Sequence, residues 1–521
     1  MNTNHRNRFA WAWVALAGVL TAGAAWVVAR DLAPWVRGPA PYPPEWEWLY
    51  QPLDLAAPPT MTLIAAYLVY ALLVALVLHP TLVRWRSLRT QRNVALAVAA
   101  TGFLGLQIAA AWANKGHVLN DIIWHTYEPP GNGYFMTAVR VEDFWQTLDN
   151  YAAAMPAFPH HRPQTHPPGI FLFYSAFIAL FERTPEFSAW FAALARGWAP
   201  PTQDWILLRD PYVPAAFFSG LVRWLAACFA PLTFYAFLRR LDRSEDGGRA
   251  TLALWGALLV PLLPAVTSFY SHWDVNYLLL ASAAWFFGLR GQDRLHEADA
   301  PQLGRWFDWV WAGLLLALLT WLSFGNAVIC GLVGLHLLWR ELITLRGDKR
   351  DYGWRDFSRF VAGAALLTVA VALPWLLARA AWGMNYFELL SVGMQMHFDL
   401  VTTARDLSIW RWMNLVDYAL WVGPGVLLLG IVGSVWLLFH IRRGQLESSL
   451  AGMALIVWAT LAALNLSGTT RGEIGRLWIF LMPFPVIFAL PYLRTYWQRV
   501  ALLAMLTTGA IVLGYALRAL A

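Results

Sequence analysis

The chain is short of charge and almost free of cysteine. Only 13% of its 521 residues are Asp, Glu, Lys or Arg, against about 25% in an ordinary soluble domain. That scarcity, beside 59% hydrophobic residues, excludes both a solvated globular enzyme and a disordered chain. The two cysteines, Cys228 and Cys330, both sit in apolar segments, which excludes a disulfide framework and a cysteine-ligated zinc site. Internal repeats and low-complexity tracts are absent as well. What is plentiful is aromatic and aliphatic sequence, with 32 Trp, 29 Phe and 18 Tyr spread over apolar runs that recur along the whole length. The composition is that of an all-α polytopic membrane protein. The excess of 38 Lys+Arg over 31 Asp+Glu is read as a record of membrane orientation and not of nucleic-acid binding.

Runs long enough to approach the roughly 30 Å of bilayer hydrocarbon are Phe9–Val28, Met61–Leu78, Val94–Ala113, Pro214–Leu238, Leu252–Phe269, Val275–Leu289 and Trp309–Phe324. Further runs are Ala327–Trp339, Val361–Leu377, Tyr418–Phe439, Leu450–Leu466, Leu477–Leu490 and Val500–Ala516. Together they make about thirteen expected transmembrane helices. The first resembles a signal peptide at Ala22-Gly23-Ala24 but is too long for the usual 7–15-residue apolar region, so a retained anchor is expected. Basic residues cluster at Arg84, Arg86, Arg89 and Arg92, at Arg239, Arg240, Arg243 and Arg249, and at Arg340, Arg346, Lys349, Arg350, Arg355 and Arg359. The positive-inside rule places these loops and the N-terminus in the cytoplasm and the C-terminus outside a multi-pass cell-membrane protein.

Ile170–Phe181 is apolar but too short to cross comfortably, and counting it would put the Arg239–Arg249 cluster outside. It is read as a re-entrant or interfacial helix. Residues 114–212 then form one large external loop, and long loops of this kind generally carry function. Residues 1–93 hold two additional N-terminal spans, 94–290 a catalytic module with that loop, and 291–521 the remaining spans with external segments 379–417 and 467–476. Phe387, Leu390, Met394, Phe398 and Val401 recur at near-helical spacing, as in a helix on the membrane surface or one packed on the first loop.

The first external loop holds the candidate chemistry. Glu142 and Asp143 precede a stripe of Phe144, Leu148, Tyr151 and Met155, which fits a helix on the membrane with a carboxylate at the water–lipid boundary. Such a carboxylate can take a proton from an acceptor hydroxyl; equally, acidic residues in a first turn complement the helix dipole. Asp121 and Glu128 are rival carboxylates in the same loop. His160, His161 and His166 cluster beside Arg162; they could bind a divalent metal, although no His-Glu-x-x-His spacing supports it, and incidental histidines in a proline-rich loop are the plain alternative. Arg223 lies about ten residues inside a span, where a charge is expensive and functional by default. Asp274 follows Ser271-His272-Trp273 in an external turn, and Arg471, Glu473 and Arg476 occupy another. A guanidinium's planar donor fork suits a phosphate or pyrophosphate head group.

This order resembles the GT-C superfamily of membrane glycosyltransferases, in particular the protein O-mannosyltransferase and lipid A aminoarabinose transferase group. The resemblance rests on an acidic pair in the first external loop, then a tyrosine, then His166-Pro167-Pro168-Gly169 opening an apolar segment, an Arg-containing span ending in Arg239-Arg240-Leu241, and an external aspartate. It covers residues 94–290. It implies Asp143 or Glu142 as the catalytic base, His166 in the proline-proline element, Arg223 as the arginine opening the next span, and Asp274 as the later aspartate. The chain departs from the pattern in reading Glu-Asp for Asp-Glu, in carrying Gly169 for leucine, and in its two extra N-terminal spans. The implied activity is transfer of a sugar from a polyprenyl-phosphate donor to a hydroxyl of a lipid, glycan or protein acceptor, with inversion, on the external face. Arginines or a divalent metal ion would stabilise the leaving phosphate. A multi-spanning transporter, a flippase of lipid-linked glycans, and a glycan polymerase or ligase are the alternatives.

Overall fold

The computed structural model describes every residue except 1–2, 39–47, 85–86, 128–132, 200–203, 242–246, 296–301, 347–353, 442–444 and 520–521. Glu128, Arg86, Arg243, Lys349 and Arg350 therefore lie outside the described residues.

Helices account for nearly all of the described regular structure. Eight are long and apolar enough to cross a bilayer: Asn7–Ala29, Pro58–Val77, Arg89–Lys115, Tyr212–Leu241, Phe324–Leu345, Trp354–Trp382, Leu446–Ser467 and Tyr496–Ala516. Apolar residues run around all sides of these helices because lipid, not water, is their outer solvent. Leu68, Leu72, Val369 and Leu376 accordingly stay exposed on the outside of the bundle. Helix ends follow local chemistry. The Ser87 side chain accepts from the Thr90 N–H to start Leu88–Lys115, Gly116 at φ 69° stops it, and Thr495 with Gln498 forms a reciprocal capping box at Tyr496–Ala516.

The expected span Tyr418–Phe439 is corrected. Leu407–Val422 and Pro424–Phe439 are separate helices bent by 97°. Gly423 adopts φ 94°, and Pro424 supplies no N–H to continue the ladder. The expected span Leu252–Phe269 is likewise interrupted, by a tight turn at Val260–Leu262 that contains Pro261, before Pro264 opens the next short helix. Leu477–Leu490 is divided into short pieces ahead of Pro483–Tyr492. The Pro424–Phe439 helix packs tightly on both sides. A Cβ at Gly425 would strike the Ala17 carbonyl, and one at Gly433 the Phe488 carbonyl. Small residues permit that approach where lipid gives helices no hydrophobic reason to associate.

The bundle has two distinct ends. A short antiparallel pair, Trp48–Tyr50 with Leu517–Ala519, ties the chain's early and late segments together at one end, where the Tyr50 hydroxyl also donates to the Ala29 carbonyl at 2.8 Å. The Asn7 end of the first helix is 23 residues away, roughly 35 Å at 1.5 Å per residue. At that opposite end, buried Asp293 faces Arg340 at 3.2 Å and Arg240 at 3.8 Å, and Asp308 holds Arg290 and Arg294. These pairs offset the desolvation of each ion.

Residues between Lys115 and Tyr212 form a layer of short helices at the first end, including Val118–Tyr127, Tyr134–Arg140, Phe144–Asp149, His161–Thr165, Gly169–Glu182 and Pro185–Gly197. The stripe expected to rest on the membrane is buried in protein instead. Leu148, Tyr151 and Met155 are each 2% exposed or less and pack in one cluster with Phe171, Trp375, Met384 and Leu389. The Tyr386–His397 helix packs on this layer through Leu389 and Gly393, the second of the two arrangements expected, while Phe387, Met394 and the following Phe398 stay exposed.

Candidate functional site

The site forms where this layer of short helices meets the helix ends. Val118–Tyr127 places Asp121 and His125 one turn apart on the same face. His161–Thr165 presents Arg162, and the turn at His166 is held by its Nδ1, 2.9 Å from both the Arg162 carbonyl oxygen and the Thr165 hydroxyl. Pro167-Pro168 then starts the Gly169–Glu182 helix. Gly169 is required there, because a Cβ would collide with the Trp321 carbonyl. Tyr212–Cys228 contributes Arg223, and Ser271–Asp274 leads into Trp273–Leu295. The C-terminal turn contributes Glu473 and Arg476.

That turn is strained and pinned. Glu473 sits at φ 53°, in the left-handed region that a β-carbon disfavours. Asn414 accepts from the Gly472 N–H at 2.9 Å and Asp417 from the Gly475 N–H at 3.2 Å, while the other Asp417 oxygen takes the Trp48 indole N–H at 2.7 Å. Arg471 donates to the carbonyls of Gly468 (3.1 Å), Thr402 (2.7 Å) and Arg405 (2.5 Å). Its fork is committed to closing loops, which is a different task from holding a ligand phosphate.

Two cavities adjoin here. The smaller, about 40 Å³, is lined by His125, Tyr134, Arg162, His166, Arg223, His272, Asp274, Tyr277 and Arg476 among others. The larger, about 500 Å³, is lined by aromatic and aliphatic residues, among them Trp48, Leu63, Tyr67, Ala110, Trp124, Phe269, Trp421 and Leu517, and by polar ones that include Gln51, Asn114, Ser268, Lys115, Arg405, Glu473 and Arg476. His125, Arg162, Ser271, His272 and Arg476 line both.

The electrostatics are lopsided. Arg162, Arg223 and Arg476 converge with Lys115 and Arg405 nearby, while Asp274 and Glu473 are the carboxylates on the cavity walls. Arg476 bridges both, lying 3.9 Å from Asp274 and pairing closely with Glu473. Burial pulls the Arg162 guanidinium down to about 10, with Arg476 adding to the fall. Burial also lowers His166 to about 3 and His272 well below the usual imidazole range, helped in each case by Arg162 and Arg476. Burial alone would push the Glu473 carboxyl up, but Arg476, Arg162, Arg405 and His161 outweigh it and hold it at about 2. Asp274 is raised by burial despite Arg476 and Arg162. Neutral imidazoles among ionised arginines mark a region of positive potential.

Arg223 makes the point most sharply. It is 2% exposed, its Nη1 donates to the Tyr174 hydroxyl at 3.3 Å, and its Nε and Nη2 have no hydrogen-bond partner among the described residues. A buried guanidinium left this way is costly unless something anionic completes it.

Of the residues read from the sequence, the fold brings Arg162, His166, Arg223, Asp274, Glu473 and Arg476 together. Asp121 lies directly behind His125, fully buried. Glu142 and Asp143 are exposed and line neither cavity. Asp143 accepts from the Gln146 N–H at 2.9 Å, an N-cap. His160 is partly buried and His161 exposed, and neither lines a cavity. Among the described residues no three His, Cys, Asp or Glu side chains converge as metal ligands. His125, His272, Tyr134, Lys115 and Arg405 were not singled out from sequence; the i,i+4 spacing of Asp121 and His125 was the one signal available for His125. No family model and no curated protein matches this chain.

Proposed function

We propose that this protein is a membrane-embedded glycosyltransferase that takes a sugar from a polyprenyl-phosphate donor. The observation that carries the reading is the Arg162–Arg223–Arg476 cluster beside a large cavity whose lining combines apolar side chains with polar ones. A polyprenyl-phosphate sugar has that same division, with one anionic phosphate between a lipid tail and a polar head. In this reading the tail lies along Leu63, Tyr67 and Ala110, the phosphate meets the arginines, and the sugar faces Trp48 and Trp421 together with Trp124, which lines the same cavity. As the acceptor oxygen attacks the anomeric carbon, the donor's phosphodiester becomes a phosphomonoester and gains a negative charge. Preorganised arginines in a water-poor pocket stabilise that gain more than they stabilise the donor.

The membrane map belongs to the same proposal. The eight long helices and the shorter or broken ones make about thirteen passes. The Arg239–Arg240 and Arg340 end is then cytoplasmic, and the cavities open on the external side. The order of sequence motifs is what resembles the GT-C group. A transporter would concentrate its charged groups near the middle of the bilayer, whereas these side chains gather at one end.

The test uses the full chain in lipid nanodiscs with synthetic polyprenyl-phosphate sugars and a pool of solubilised envelope glycans and lipids as acceptors. Polyprenyl phosphate should be released with at least one sugar, and Arg223→Gln and Arg476→Gln should each lower the rate by about 10²-fold or more. Donor crossing the bilayer intact, without release, would replace the transferase by a flippase.

A further inference from the structure

A second large cleft lies at the other end of the bundle, away from the arginine cluster, and has no part in the transferase reading. We propose that it binds one anionic phospholipid, held by its phosphate and wedged between the first helix and Pro424–Phe439.

The cleft follows from how those two helices pack. They meet closely at Gly425, where a Cβ would strike the Ala17 carbonyl. Toward the Asn7 end the larger side chains of Phe9, Trp13, Val435 and Phe439 line a gap of about 570 Å³. Phe9, Val435 and Phe439 are exposed, so the gap opens on the outer face of the bundle, where lipid is the solvent. The first helix has little protein around it: 17% of its apolar window is buried, the lowest share of the eight long helices. Its seam with Pro424–Phe439 is left incomplete unless something apolar fills the gap.

The rim of the cleft is polar and basic. Asn7 begins the first span, His440 caps the Pro424–Phe439 helix, and Arg494 sits just before Tyr496–Ala516. Helix ends lie at headgroup depth, with the apolar walls running inward from them. Arg494 is exposed, its main-chain N–H donates to Gln498 Oε1 at 2.9 Å, and its guanidinium lies 5.9 Å from the Trp436 ring without an ion pair among the described residues. Trp436 gathers the group: His440 stacks on it at 4.3 Å and Tyr492 meets its edge at 6.5 Å. His440 Nδ1 donates to the Trp436 carbonyl at 2.7 Å, while its Nε2 and the Tyr492 hydroxyl are buried with no hydrogen-bond partner among the described residues. Unmet polar groups of this kind are costly. A phosphodiester with a headgroup hydroxyl has acceptors for Arg494 and Tyr492 and a donor for His440. No acidic residue is among those that line the cleft, so charge favours an anion, and an uncharged apolar ligand would leave Arg494 unused.

Native mass spectrometry of the full chain tests the site, with phosphatidylglycerol or phosphatidylcholine of identical acyl chains added to the detergent. Wild type should retain one phosphatidylglycerol at least about fivefold more tightly than phosphatidylcholine, the share of one basic side chain at a membrane surface. Arg494→Gln changes an exposed position and should remove the preference. Val435→Trp fills the cleft without altering charge and should displace the retained lipid. Phosphatidylglycerol should also raise the unfolding temperature of wild type and not that of Arg494→Gln. Equal retention of the two lipids, or a preference that survives either substitution, overturns the proposal. A lipid-free dimer overturns it as well and assigns the cleft to a second copy of the chain. Neither substitution touches the arginine cluster, so these outcomes stand apart from the fate of the transferase reading.

Discussion

Replacing Arg223 by methionine should make the ligand-free protein more stable and less able to bind its donor. The substitution removes one hydrogen bond to Tyr174, whose hydroxyl still accepts from the Trp273 indole at 3.1 Å. A hydrogen bond to a charged group is worth about 1.5–3 kcal/mol. It also removes a guanidinium 2% exposed with two donors unsatisfied by described residues; leaving such groups buried costs about 1–3 kcal/mol each, and more when charged. Replacing buried ions by apolar side chains of similar volume often raises stability by about 1–4 kcal/mol, and that is the expected net gain. The ligand response should reverse the order. At a hundredfold excess over Kd a ligand stabilises by about 2.7 kcal/mol. Loss of a desolvated charge contact costs about 2–5 kcal/mol of affinity, which erases most of that increment in the variant. Denaturant unfolding in nanodiscs, with and without a short-chain polyprenyl phosphate, reads both numbers. A variant less stable than wild type without ligand, yet showing the full increment with it, refutes the argument that Arg223 is held in reserve for an anion.

Other outcomes follow from the same contacts. Asp143→Asn should leave polyprenyl phosphate release within twofold of wild type, because Asn caps a helix as well as Asp and the residue lines neither cavity. Gly169→Leu should lower the unfolding midpoint through collision with the Trp321 carbonyl, a loss of about 1–3 kcal/mol or more. Arg471→Ala should destabilise by about 2–4 kcal/mol as the carbonyls of Gly468, Thr402 and Arg405 lose a charged donor, and Arg471→Lys should not restore it because a single ammonium cannot replace the fork. In acid, His166 in the unfolded chain binds a proton near its ordinary 6.5, whereas the folded protein holds it at about 3. Stability should therefore fall as pH drops from 6.5 toward 3, with Glu473 adding a loss from 4.5 toward 2. In an unfolding series against pH, His166→Asn should reduce the fall in the upper window, where His161 and His272 keep their share, and leave the lower one.

Hydropathy made the membrane class legible, because lipid demands apolar residues on every side of a crossing helix. Its breaks were less so. Gly423-Pro424 is visible as a dipeptide, but a 97° bend depends on what the two arms pack against. Site residues divided along similar lines. Arg223 was readable because a charge inside an apolar run is rare at any depth. Arg471 and Arg476 look alike in sequence, and only the placement of the Thr402 and Arg405 carbonyls makes one a loop clamp and the other a cavity wall. Asp143 drew attention through its motif, yet its carboxylate caps its own helix. The stripe after it was amphipathic as read, but periodicity cannot say whether lipid or Trp375 covers an apolar face.

The central claim is tested most directly by electron cryomicroscopy of the full chain in nanodiscs with bound polyprenyl phosphate. The account predicts phosphate density within about 3 Å of guanidinium nitrogens of Arg162, Arg223 and Arg476, with the tail along Leu63, Tyr67 and Ala110. Phosphate density at the Asp293–Arg340 end, or a large cavity filled by protein side chains with the lipid elsewhere, would contradict it.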